Sequence, residues 1–189
     1  MGKQEILEAI EENPIITAVK DQEGLEACLQ TESRIVFILF GDICNIADIV
    51  KEVKKSGKIA IVHMDLLAGI GSKEIAVDFI KAQTGADGVI STKPTLLRRA
   101  KELGLFTVLR FFILDSMALT NISKQTEQVK PDMMEILPGV MPKITKRIVK
   151  QINIPVICGG LISDREDIIG ALSAGAAAIS STNQNVWKL

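Results

Sequence analysis

The chain has little with which to build a disulfide or zinc framework: Cys28, Cys44 and Cys158 are an odd set with no C-x-x-C spacing. Such a set suits a reducing compartment. No apolar run approaches the ~18 residues of a membrane span, and the N-terminus lacks the charged and apolar segments of a signal peptide. The expectation is a cytoplasmic protein with no membrane partner. An excess of either charge is also missing. With 22 Lys+Arg against 23 Asp+Glu the formal charge is -1, so contact with nucleic acid has to come from a local patch. Aromatic residues make up only 4%, no RNP-type motif occurs, and basic stretches are not interleaved with aromatics. No Pro/Gly/Ser-rich linker or shift in composition divides residues 1–189, which leads to the expectation of a single domain.

What the chain does have is apolar periodicity. Short runs such as Ile15–Val19, Arg34–Phe40, Lys58–Asp65, Gly85–Thr92, Leu105–Leu114 and Asp132–Leu137 read as strands, with two more at Ile154–Gly160 and Gly175–Ser181. Helical patterns separate them: Leu25/Cys28/Leu29, Ile46/Ile49/Val50/Val53, Ile75/Phe79/Ile80, Leu96/Leu97/Ala100/Leu103, Leu119/Ile122/Thr126/Val129, Met141/Ile144/Ile148/Ile152 and Ile168/Ala171/Leu172. A further helix, Lys3 to Asn13, precedes the first strand and is expected to cover a barrel floor, and a capping box is read at Ser163–Glu166. Eight strands alternating with helices predict a compact (β/α)8 barrel of the TIM type, with an open doubly wound sheet as competitor. At 189 residues the chain is short for such a barrel, which typically needs about 250, so its outer helices must be short or incomplete. Gly85-Ala86 with Ser91-Thr92 and Gly175-Ala176 with Ser181-Thr182 share a spacing, which suggests either half-barrel duplication or the general likeness of βα units.

In a barrel, ligands bind at the C-terminal ends of the strands. The polar residues there are Asp42, His63, Asp65, Ser91, Lys93, Arg110, Glu135, Gly159, Gly160, Ser181, Thr182 and Asn183. Gly159-Gly160 lets a backbone approach an anion. The helix start near Ser163 offers amide donors with a favourable dipole, and Ser181, Thr182 and Asn183 add short side chains from the next loop. The combination predicts a phosphate pocket; an ordinary Gly-Gly turn with capping residues is the alternative. Arg110 and Glu135 interrupt apolar strands and form either an internal ion pair or two ligand contacts. Lys93 is a charge partner or a solvated helix start. His63, the only histidine, shares a strand face with Asp65 and fits acid/base work, metal binding, a ligand contact or simple packing. Cys158 fits a packing residue better than a nucleophile, and no side-chain cluster suggests a metal or a bound cofactor. Lys143, Lys146, Arg147 and Lys150 put four cations along one helix, either a solvated face or a phosphate-tracking one.

Five segments together carry a family resemblance: His63-Met-Asp65-Leu-Leu-Ala-Gly69, Gly88-Val-Ile-Ser-Thr-Lys93, Glu135-Ile-Leu-Pro-Gly139, Cys158-Gly-Gly-Leu-Ile162 and Ser180-Ser-Thr-Asn-Gln-Asn-Val-Trp187. Over essentially its whole length the chain resembles the glycerol-3-phosphate-responsive antiterminators, with Cys158 and Asn183 as departures from the alanine and serine expected there. The resemblance implies a regulator that binds glycerol 3-phosphate and acts on the leader mRNA of glycerol-utilisation genes to promote read-through. On that reading Gly159, Gly160, Ser181, Thr182 and Asn183 hold the phosphate with Lys93 or Arg110 as counter-charge. Asp65 and Glu135 meet the hydroxyls, and RNA meets Lys143 to Lys150, on one chain or on the joint surface of a homo-oligomer. The alternative is a barrel isomerase or lyase of a small phosphorylated metabolite, with His63, Asp65 and Glu135 as acid/base groups.

Overall fold

The structure is a computed structural model that describes residues 2–189; Met1 lies outside the described residues. Eight parallel strands close into a barrel in sequence order: β1 (Ile15–Val19), β2 (Ile35–Ile38), β3 (Ile59–His63), β4 (Gly88–Ser91), β5 (Phe106–Phe112), β6 (Met133–Leu137), β7 (Val156–Gly159) and β8 (Ala178–Ser181). The closing pair β8–β1 sets Ile15 against Ile179 and Thr17 against Ser181. The open sheet is thereby ruled out. Helix α1 (Lys3–Glu12) precedes β1, and α2 (Gln22–Leu29), α3 (Ile46–Lys55), α4 (Glu74–Gln83), α5 (Pro94–Glu102), α6 (Ser116–Val129), α7 (Pro142–Gln151) and α8 (Arg165–Ser173) each link successive strands. After β8 comes a 3-10 turn, Val186–Lys188, whose Trp187 is buried and donates through Nε1 to the Ser181 carbonyl at 2.7 Å.

Side chains alternate across each strand, so every strand feeds two cores. The inward set is Ile16 and Ala18, Ile35 and Phe37, Ile59 and Ile61, Ile90, Phe106 and Val108, Met133, Ile157 and Ala178, which pack together in the lumen. The outward set, including Val36, Val62, Val89, Leu109, Ile136 and Ile179, packs on the helices. Ile6, Ala9 and Ile10 of α1 join the inward cluster, so this helix covers the floor as its spacing predicts. The lumen is therefore filled from below with hydrocarbon. Going up each strand, the next inward positions are His63, Arg110, Glu135, Gly159 and Ser180, and the filling turns polar there.

Some sequence expectations shift. In α4 the buried stripe is Ala76, Val77 and Ile80, while Ile75 is 71% exposed because it stands at the start of the helix beyond the barrel rim. The cap of α8 is Asp164, whose side chain accepts from the Asp167 amide, so the box read from Ser163 is displaced by one residue. Strands β2, β3 and β5 are shorter than their apolar runs, the surplus residues falling outside the strands at both ends. The echo between half-barrels has a structural counterpart: the Ser91 hydroxyl accepts from the Lys93 amide at 3.0 Å, and the Ser181 hydroxyl from the Asn183 amide at 3.1 Å.

Gly88 sits where β4 meets β5, and a Cβ there would lie 2.5 Å from the Phe106 carbonyl oxygen. The sheet has no room for it. Gly88→Ala is expected to destabilise the fold by about 1–3 kcal/mol, whereas Gly85→Ala, with open space around its Cβ, should stay within about 0.5 kcal/mol. Urea denaturation midpoints of the two variants check this contrast.

Candidate functional site

At the mouth of the lumen the adjacent strands β5 and β6 bring Arg110 and Glu135 into direct register. Arg110 Nε donates to Glu135 Oε2 at 2.6 Å, and the Ser180 hydroxyl donates to the other carboxylate oxygen at 2.5 Å. Glu135 is fully buried and the Arg110 side chain is 11% exposed. Only Nε of Arg110 is engaged. Its terminal guanidinium nitrogens make no hydrogen bond among the described residues, which leaves the planar fork available to an anion. Gly159 makes this cluster possible: a Cβ there would come within 2.6 Å of Glu135 Oε1 and 2.7 Å of the Ser180 hydroxyl. Its absent side chain gives space to the carboxylate and not directly to a ligand.

A cavity of about 450 Å³ opens beside this pair, lined by Ala18, Leu39, Arg110, Glu135, Leu137, the loop Gly160–Ser163 after β7, and Ser180–Asn183 at the end of β8. Gly160 and Leu161 both take left-handed backbone conformations, at φ 72° and 64°. For Leu161 that costs of order 1 kcal/mol and leaves its side chain 74% exposed, so the loop geometry is held by its surroundings. The amides of Gly160, Leu161 and Ile162 donate to no acceptor among the described residues. The Thr182 hydroxyl is also free there. Ser181 and Asn183 instead knit the two loops together: Ser181 Oγ donates to the Ile162 carbonyl at 2.8 Å, and Asn183 Nδ2 to the Ser163 carbonyl at 3.2 Å.

The start of α8 is not the open donor set that the sequence suggests. The Ser163 amide and hydroxyl both donate to Asp167 Oδ2 at 2.9 Å, and the Asp167 amide donates to Asp164. The chain's own carboxylates occupy the helix terminus. The donors left for an anion lie one step earlier, in the loop itself.

Asp65 and Lys93 lie outside this cavity's lining and form a second cluster between the loops after β3 and β4. Asp65 accepts from the Ser91 hydroxyl at 3.0 Å, the Thr92 amide at 2.7 Å and the Thr92 hydroxyl at 3.1 Å, with Lys93 Nζ at 3.5 Å. Lys93 Nζ also donates to Ser72. Burial alone would raise the Asp65 pKa, but the Thr92 amide and the two hydroxyls outweigh it and hold the carboxyl below the usual range. Asp42 likewise spends itself locally, capping the amides of Cys44 and Asn45. Cys158 is fully buried against Thr145 and burial pushes its thiol up, as befits a packing residue.

His63 is 2% exposed, and neither ring nitrogen has a hydrogen-bond partner among the described residues. Burial first, and the Arg110 charge second, push its pKa down to about 4. The ring is neutral at neutral pH. On the outside of the barrel, Lys143, Lys146, Arg147 and Lys150 are all exposed on α7, and none is in an ion pair among the described residues. By contrast Arg99 on α5 is bound to Asp78 and Glu102. Sequence reading missed Ser180 as the partner of Glu135 and the free amides of Leu161 and Ile162. Strand alternation from Ala178 could have found the first, but nothing in the sequence marks the second.

A family model described as glycerol-3-phosphate responsive antiterminator matches residues 15–187. The chain is 45% identical over 184 residues to a protein of Escherichia coli strain K12 called uncharacterized protein YgcP, covering 97% of this chain and 96% of that one. Among solved structures, it is similar to the glycerol uptake operon antiterminator regulatory protein of Listeria monocytogenes, with a TM-score of 0.89, 30% identity, and 93% and 95% of the two chains covered. A glycerol uptake operon antiterminator-related protein of Thermotoga maritima matches with a TM-score of 0.80 and 35% identity over 93% and 98% of the chains. Among the described residues, no helix is long and apolar enough to cross a membrane, and no group of three or more His, Cys, Asp or Glu side chains is placed to hold a metal ion.

The depressed His63 pKa sets a pH dependence. Between its unfolded value of 6.5 and its folded value of about 4 the unfolded chain binds the extra proton, so stability is lost as pH falls through that window. The loss approaches about 3 kcal/mol at the lower end. Thermal unfolding scanned from pH 7 to pH 4 should show the decline, and a His63→Leu variant should show a visibly flatter profile.

Proposed function

The chain belongs to the glycerol-3-phosphate responsive antiterminator family, and from that premise we propose that the cavity at its barrel mouth is the effector site and that the loaded protein acts on leader mRNA. The observation that carries the effector assignment is the convergence of free donors on one cavity. The unengaged fork of Arg110, the Gly160–Ile162 amides and the Thr182 hydroxyl border a space with ample room for a three-carbon phosphate. The phosphoryl group lies against the loops after β7 and β8, with Arg110 as its counter-charge. Ser181 and Asn183 hold those two loops in place. Glu135 orients Arg110 and turns its remaining acceptor capacity toward a ligand hydroxyl. Asp65 and Lys93, tied to each other, shape the opposite side of the mouth.

The enzyme alternative draws less support. Asp65 is consumed by hydrogen bonds and Glu135 by Arg110 and Ser180, so neither carboxylate is poised for proton transfer. A binding role asks for what is present: fixed donors around one cavity, with both carboxylates already paired.

For RNA we place the contact on α7. Its four exposed cations recur at i, i+3, i+4 and i+7, so they share one face about 10 Å long, and no carboxylate competes for them. The short connection of residues 138–141 joins α7 to the cavity-lining end of β6. Effector and RNA affinities are coupled only to the extent that the effector prefers one arrangement of this region over another.

Glycerol 3-phosphate at millimolar concentration is expected to raise the thermal midpoint, while glycerol gives no shift and inorganic phosphate a smaller one. Arg110→Gln should reduce the effector's affinity by about tenfold or more, as loss of a charge-assisted contact does. Absence of any shift in the wild-type protein refutes the effector assignment. In filter binding with leader RNA, replacing Lys143, Lys146, Arg147 and Lys150 by Gln should lower affinity and flatten the dependence of log K on log salt by up to about three units. An unchanged slope would move the RNA surface elsewhere.

A further inference from the structure

His63 is buried as deeply as the hydrocarbon around it, yet both of its ring nitrogens lack a partner among the described residues. A buried polar group left in that state is costly. The neighbouring inward positions are Ile61 below it and Ile90 in register beside it. Its place relative to the cavity is informative. Strands β2 and β3 pair with Ile38 against Val62, so Leu39 stands level with His63 on the adjacent strand, and Leu39 lines the cavity. Arg110, another lining residue, is near enough for its charge to act on the imidazole. His63 thus stands next to two lining residues, level with Leu39 and within reach of the Arg110 charge, on the β3 side of the mouth, away from the loops after β7 and β8.

We propose that His63 is the subsite for the hydroxyl-bearing end of the effector, a neutral imidazole that hydrogen-bonds a hydroxyl of a polyol phosphate whose phosphoryl group is held by Arg110 and the loops after β7 and β8. This assignment rests on the reading of the cavity as the effector site. A neutral imidazole presents one N–H and one lone pair, so it serves a hydroxyl in either sense. It has no charge with which to attract the phosphoryl group. The guanidinium fork of Arg110, held through Nε by Glu135, takes the phosphoryl group on the loop side, and the hydroxyl-bearing end of the ligand reaches the β3 side, where His63 stands. The two ends of the ligand are then read by different chemistry: the phosphate by cation and amides, the polyol by an uncharged ring. Selectivity for a hydroxylated three-carbon phosphate over an alkyl phosphate of the same length follows, because without the hydroxyl the imidazole stays unpaired.

His63 is the only histidine of the chain, so its ring nitrogens can be observed without assignment in a tag-free, nitrogen-15-labelled sample. The probes are glycerol 3-phosphate, n-propyl phosphate and inorganic phosphate, with occupancy measured in parallel by calorimetry. Saturating glycerol 3-phosphate should shift one ring nitrogen resonance toward its hydrogen-bonded position, while saturating n-propyl phosphate or inorganic phosphate leaves it in place. The wild-type protein should prefer glycerol 3-phosphate to n-propyl phosphate by about tenfold or more. His63→Leu should erase that preference and keep its affinity for n-propyl phosphate. Calorimetric saturation by glycerol 3-phosphate with an unmoved ring, or a His63→Leu variant with undiminished preference, overturns the His63 subsite and leaves the phosphate pocket standing. Failure of all three probes to bind the wild-type protein overturns both.

Discussion

The ion pair between Arg110 and Glu135, enclosed at the top of the barrel lumen, is the constraint around which the mouth is arranged. Two charges taken out of water gain little net stability from each other, but removing one partner would strand the other at a cost of about 3–5 kcal/mol. The pair therefore acts as a demand on its surroundings. Glu135 is fully buried and has its two oxygens answered from opposite sides, by Arg110 and by Ser180. Gly159 has to be glycine because a methyl group would enter the space of that carboxylate. Arg110, held through Nε alone, keeps its remaining donors for whatever occupies the cavity.

The same constraint gives physical content to two of the motifs. Glu135-Ile-Leu-Pro-Gly139 and Cys158-Gly-Gly-Leu-Ile162 are far apart in the chain but meet in space. The Gly139 amide donates to the Gly160 carbonyl at 3.2 Å, and a Cβ on Gly139 would stand 2.8 Å from the Cys158 carbonyl carbon. Leu137 packs beneath Gly160, 3.1 Å from where a Cβ would be. The two loops are pressed together, and the basic helix α7 begins three residues after Gly139. The loop amides of Gly160–Ile162, the buried carboxylate and the exposed cations of α7 are thus linked by covalent and hydrogen-bonded connections over a short span.

Polarity in the lumen is graded along the strands. Below, α1 and the inward isoleucines fill the barrel with hydrocarbon; above, His63, Arg110, Glu135 and Ser180 replace it. Among the described residues, the His63 ring nitrogens are the buried side-chain polar atoms left without a partner. The polar residues at the mouth divide by what they touch: one group converges on the cavity, and another, Asp65 with Ser91, Thr92 and Lys93, fastens the loops after β3 and β4 to each other.

The sequence by itself determined the eight strands, the floor helix and the barrel, because inward and outward faces alternate with period two and each helix carries its stripe at period 3.6. It also determined that Arg110 and Glu135 had to meet each other or a ligand, since an unpaired charge in those apolar runs is untenable. Which of the polar rim residues face one cavity was decided only by the tertiary structure. Asp65 and Arg110 look equivalent as polar ends of buried strands, yet Asp65 falls in a 3-10 turn, Met64–Leu66, just past β3 and meets the β4 loop, whereas Arg110 stays within β5 in register with Glu135. Ser163 reads as a helix cap, but the Asp164 and Asp167 carboxylates take over the terminus because they reach its amides first. The free amides of the Gly160–Ile162 loop depend on two successive left-handed residues, a backbone conformation that Gly160 permits and Leu161 does not announce. Local pattern encodes which face a residue takes; how far its side chain reaches, and what reaches it first, is set by strands that neighbour it only once the barrel is closed.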